Sequence, residues 1–81
     1  MTRFLIEVSE QSDTLVRKRI RDAVRTMGSH FAARANWTRT EAGCTGTLLV
    51  ETDDKHRALG LVPPNMRSHV RVFQLQPVGT T

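Results

Sequence analysis

Apolar and polar positions along the chain fall into short alternating runs separated by two stretches of helical period. In Arg3–Val8, Phe4, Ile6 and Val8 share one face while Arg3, Leu5 and Glu7 share the other, which is the period of a strand. Leu5 on the second face implies that this face is not wholly wet. Residues 9–13 break the alternation and offer Ser12 or Asp13 as a helix N-cap. From there to Met27 the apolar residues Val16, Ile20, Ala23, Val24 and Met27 recur at helical spacing and form one stripe. Gly28 suits the position just past the helix, where a positive φ is favoured.

A period of two returns at Phe31. Phe31, Ala33, Ala35 and Trp37 share one face, with Ala32, Arg34, Asn36 and Thr38 on the other, so a second strand is expected from Phe31 onward. Thr40–Gly43 reads as a hairpin loop in which Gly43 supplies the positive φ. The return strand, Cys44–Thr52, sets Leu48 and Val50 against Leu49 and Glu51. Thr52 or Asp53 can cap a second helix, with Ala58, Leu59, Leu61 and Val62 as its apolar side and Pro63 and Pro64 as its stop. A short loop, residues 63–68, leads to a last strand from His69 to Val78. Its apolar residues pass from Val70 and Val72 to Phe73 and Leu75, which calls for burial on both faces or for a bulge.

The order strand, helix, strand, strand, helix, strand predicts an α+β, ferredoxin-like βαββαβ domain. Its sheet has four antiparallel strands with both helices on one face. The domain should span residues 1–78, with a flexible tail at 79–81. With 81 residues the chain is too short for two domains, and at this size roughly 60% of the unfolded surface is buried. Leu5, Leu49 and part of the last strand are left on the bare face, so a homodimer through that face is the expected remedy for a thin stability margin.

Composition narrows the class further. The single cysteine, Cys44, cannot form an internal disulfide and reads as a reduced thiol in a cytoplasmic protein. There is no secretory leader pattern and no apolar run approaching the roughly 18 residues of a membrane span, so no membrane association is expected. The net charge of +4 admits phosphate or an acidic partner without demanding either.

Candidate chemistry is sparse. His30, just after the Gly28 terminator, either donates to the last carbonyls of the first helix or serves as a catalytic general base at the rim of a pocket. Trp37 suits a half-buried core or interface position, or a ligand contact. Arg67 and His69 flank the entry to the last strand. A small-molecule pocket between sheet and helices would have His30, Trp37, Arg67 and His69 at its mouth. His30, His56, His69 and Cys44 show no tight ligand spacing, so no metal is expected. Cys44 has no local feature that would activate its thiol. Glu7 and Glu51 point away from the helices and form either an acid/base pair or separate ion pairs with Arg3, Arg34 or Arg71. Arg17, Arg21 and Arg25 recur at i+4 beside Lys18. They form the solvated back of the first helix or, as the alternative function, a nucleic-acid contact. The sheet offers no stacking aromatics of the kind RNA-binding domains of this layout use.

With these elements placed, the segments "GSHF", "NW", "LLVET" and "VPPNMRS" and the overall layout resemble the dimeric α+β-barrel superfamily. That group includes muconolactone isomerases, small heme-degrading and quinone-forming monooxygenases and many short bacterial proteins of unknown function. The resemblance covers nearly the whole chain in layout. It implies sheet-to-sheet pairing and an isomerase- or oxygenase-like activity, and the scaffold accepts heme or flavin as guests. No residue here specifies a cofactor, and no catalytic assignment is carried over, because one scaffold hosts many chemistries.

Overall fold

β1 (Thr2–Glu10) is the spine of the sheet. It pairs antiparallel with β3 (Gly43–Thr52) on one side and with β4 (Val70–Leu75) on the other, and β2 (Asn36–Thr40) lies outside β3, giving the order β2-β3-β1-β4. This computed structural model describes residues 1–77. β4 is shorter than the strand expected over residues 69–78: it starts at Val70, because His69 still belongs to the preceding 3₁₀ helix, and it ends at Leu75, while Val78 and the tail expected at 79–81 lie outside the described residues. The arrangement is an α+β fold with an open, four-stranded antiparallel sheet, compatible with the ferredoxin-like order.

The alternation in β1 sorts the two faces as expected. Phe4, Ile6 and Val8 are buried with Ala58, Val62, Met66, Phe31 and Ala32, and Leu48, Val50, Val70 and Val72 pack around them. All the helical segments therefore cover one face. α1 (Asp13–Met27) packs Ile20 against that cluster and buries Val16 and Ala23, and the Ser12 hydroxyl accepts from the Leu15 N–H at 3.3 Å as its N-cap. Gly28 closes the helix with φ 64°, and the N–H groups of Gly28 and Ser29 reach the Val24 and Ala23 carbonyls, each at 3.1 Å.

Three local expectations are corrected. The segment from Phe31 does not enter the sheet: Phe31–Arg34 forms a single helical turn, α2, and the strand begins only at Asn36. Two effects outweigh the alternating pattern. Alanine is the best helix former, and a turn lets the adjacent Phe31 and Ala32 both face the core, which a strand forbids. The cap of α3 (Lys55–Gly60) is Asp54, whose carboxylate accepts from the Arg57 N–H at 2.8 Å, rather than Thr52 or Asp53. That helix also ends at Gly60, before the prolines. Pro64 instead opens a 3₁₀ helix, Pro64–His69, which buries Met66, so residues 63–68 are not a plain loop.

No bulge interrupts β4. Its register with β1 runs unbroken from Arg3–Leu75 to Val8–Val70, which puts Phe73 and Leu75 on the face away from the helices. Leu49, Leu5 and Phe73 are cross-strand neighbours there, with Leu49 66% and Phe73 43% exposed. The domain measures 46 × 30 × 18 Å, a plate one sheet and one helical layer thick.

Candidate functional site

The residues singled out for a pocket mouth are distributed over four depressions. His30 is exposed at the entry of α2. Its side chain caps nothing, and the depression beside it, about 340 Å³, is lined by Phe31, Arg34, Leu48, Val50 and Leu61. Trp37 lies half-buried across Gly46: a Cβ at Gly46 would stand 2.8 Å from the indole, and the indole N–H donates to the Ala32 carbonyl at 2.8 Å. That bond joins β2 to α2 and satisfies the ring's only donor, so Trp37 is a packing element. His69 sits beside the β2–β3 hairpin with Ser9, Glu10 and Arg19, its Nδ1 3.3 Å from the Ser68 hydroxyl. Arg67 lines a fourth depression, separate from these three.

That depression is a groove between α3 and β4, of about 720 Å³, lined by Lys55, His56, Leu59, Arg67, Val70, Arg71, Val72 and Phe73. β4 is one of the two outer strands of the sheet, so among the described residues the groove runs along an unpaired strand edge. Leu59, Val70 and Val72 make its helix-facing side apolar, Phe73 lines it from the other face of β4, and four nitrogen-bearing side chains surround it. Arg67 is turned back into the fold, with Nε donating to the Val62 carbonyl at 2.8 Å and Nη2 to the Gly60 carbonyl at 3.5 Å. It thereby satisfies carbonyls left open at the end of α3. Arg71 donates through Nε to Glu7 at 3.1 Å and lies 5.7 Å from the centre of the Phe73 ring. Sequence reasoning reached Arg67 and passed over Lys55, His56, Leu59 and Phe73. The available signals were the i,i+4 spacing of Lys55 and Leu59 on one helix face and the shift of apolar positions at Phe73.

Elsewhere several acidic groups and the cysteine have structural partners. Glu7 and Glu51 face Arg71 and Arg3, the latter at 3.2 Å, in separate ion pairs on the bare face. Cys44 is buried and its thiol donates to Asp13 Oδ1 at 2.9 Å, while Arg39 donates to Asp13 Oδ2 at 2.7 Å. The carboxylate beside it, with burial adding to the effect, pushes the Cys44 thiol above its usual range. Asp13 moves the opposite way: the thiol hydrogen bond first, and then the Arg39 charge, hold its carboxyl below the usual value against the cost of desolvation. Although Cys44 stands beside a helix start and near an arginine, it is therefore kept as a thiol and is a poor nucleophile.

The basic residues Arg17, Lys18, Arg21 and Arg25 are all exposed on α1, whereas Arg19 turns toward Glu10 at 3.6 Å. Among the described residues no three His, Cys, Asp or Glu side chains converge as a metal site would need, and no helix is long and apolar enough to cross a membrane. Comparison of the chain with family models, with curated proteins and with solved structures gives no match in any of the three.

Proposed function

We propose that this chain is a cytoplasmic ferredoxin-like domain that works as a homodimer and binds a small molecule in the groove between α3 and β4. The groove carries the reading. Its volume of about 720 Å³ falls within the usual range of small-molecule sites, roughly 300–1,000 Å³, and it combines an apolar lining with a few polar groups, as such sites do. The dimer is supported by the cross-strand row Leu49–Leu5–Phe73, flanked by the Arg3–Glu51 and Glu7–Arg71 pairs. It is an apolar strip with a polar border on a domain too small to cover it. Kinship with the dimeric α+β barrels belongs to the same proposal, and topology together with the bare face are its support.

An isomerase- or oxygenase-like reaction would use His30 as its base. That side chain stands at a different depression from the groove, so the proposal is of binding, with no reaction step assigned. The test is a fragment screen followed by amide chemical-shift mapping. Ligands that move the amides of Leu59, Val70, Val72 and Phe73 support the groove. A screen in which no ligand moves them overturns it.

A second reading is favoured by one observation. Arg17, Lys18, Arg21 and Arg25 are exposed along α1, and none of them has an ion-pair partner among the described residues. If these four met phosphates, log affinity for duplex DNA would fall with log salt at a slope of about −3.6. A gel-shift assay with random RNA and DNA decides it, and the absence of any shift at low salt ends this alternative.

A further inference from the structure

We infer that the groove between α3 and β4 selects an anionic amphiphile, a small molecule carrying a carboxylate or similar acidic group on an apolar body. Lys55 and His56 hold the acidic group, while Leu59, Val70, Val72 and Phe73 receive the body. The inference rests on the groove being the binding site.

The charges around the groove divide into committed and uncommitted ones. Of the four nitrogen-bearing side chains around the groove, Arg67 is spent on the Val62 and Gly60 carbonyls and Arg71 on Glu7. Lys55 and His56 are exposed and have no hydrogen-bond or ion-pair partner among the described residues. Their nearest acidic neighbours in sequence are engaged elsewhere. Asp53 pairs with Arg57 at 3.8 Å, and Asp54 caps α3. No carboxylate lines the groove itself. Its potential is therefore positive over an apolar floor.

Each alternative occupant wastes part of this surface. A cation meets Lys55 and Arg67, with no carboxylate in the groove lining to offset them. A neutral apolar molecule makes no use of the two free donors. A polyphosphate chain gains nothing from Leu59, Val70, Val72 and Phe73. A molecule with one acidic end and an apolar body uses both parts, because lysine gives a charge-assisted contact and the floor gives area removed from water.

The test compares octanoate, 1-octanol and octylammonium by amide shift mapping of the whole chain at fixed ionic strength. Octanoate should move the amides of Leu59, Val70, Val72 and Phe73 and bind about fivefold more tightly than octanol, a preference set by exposed ion pairs. Octylammonium should bind most weakly. In the double variant Lys55→Gln, His56→Gln, octanoate should bind no more tightly than octanol does to the same variant. Both positions are exposed, and circular dichroism of the variant should match that of the parent chain. The preference should also shrink as salt is raised on the unaltered chain, which tests the charge without any substitution. Equal binding of the three probes at the groove would overturn the anion preference while leaving the groove as a small-molecule site. No binding of any probe there would overturn both.

Discussion

Gly43 and Gly60 both sit where the chain changes direction, yet their replacement by alanine has opposite expected outcomes. Gly43 holds φ at 129°, and a Cβ there would stand 2.6 Å from the Glu10 carbonyl oxygen. Gly43→Ala should cost about 1–3 kcal/mol in chemical denaturation, because backbone strain and a backbone clash act together. Gly60 ends α3 with open space around its Cα and no positive φ, so Gly60→Ala should stabilise by about 0.5–1 kcal/mol through the unfolded chain. Equal effects at the two sites would mean that the β2–β3 hairpin is not closed as described. The Asp13–Cys44 contact is a second case in which environment decides behaviour. Asp13→Asn removes the anion that keeps Cys44 protonated, so the thiol should react faster with an aromatic disulfide at a given pH. An unchanged rate would show that burial alone protects it. Because the Asp13 carboxyl lies below its usual value of 3.8 in the folded state, its contribution to stability is complete above that pH. It is lost as pH falls through the lower folded value. Acid titration of Asp13→Asn should accordingly show a flatter loss of stability than the parent.

At the scale of elements, α1 and the sheet were readable in the sequence because each has a long, regular pattern with a clear terminator. Val16, Ile20, Ala23 and Val24 with Ser12 before them and Gly28 after leave no competing assignment. Ser12→Ala should lower stability by about 1 kcal/mol, the usual worth of a cap, with the melting profile otherwise two-state. α2 was not readable. Its four residues alternate well enough for a strand, and the choice depends on Phe31 and Ala32 reaching the same core, a contact with β1 and α3 that no local period encodes. Replacing Trp37 with Phe probes this junction. Loss of the indole hydrogen bond to Ala32 should cost about 1 kcal/mol, and the amide of Asn36, where the chain passes from α2 into β2, should exchange faster with solvent.

For the whole molecule the decisive quantity is how much apolar surface the plate leaves uncovered. Leu49 and Phe73 flank Leu5 on the bare face, and a second copy is the proposed cover. Sedimentation should give twice the chain mass at micromolar concentration, and Leu49→Lys should shift it to the monomer with little loss of fold, since that side chain is already 66% exposed in the single chain. A parent protein that stays monomeric at every concentration removes the dimer from the proposal. It would leave the α3–β4 groove standing, because the groove is lined within one chain.

The periodic patterns were enough to establish the four strands, the long helix, the hairpin and the inward set Phe4, Ile6, Val8, Leu48 and Val50. An alternation or a helical stripe records which side of an element meets water, and that is local information. Which side chains meet one another was settled only on folding. Strand order brings β4 beside β1, and with it Val70–Phe73 beside Lys55, His56 and Leu59. The fold likewise sets Cys44 against Asp13 across 31 positions of sequence and sends His30, Trp37 and His69 to separate corners. Such meetings depend on register and on contacts between distant segments, and residue spacing along a chain carries no record of them.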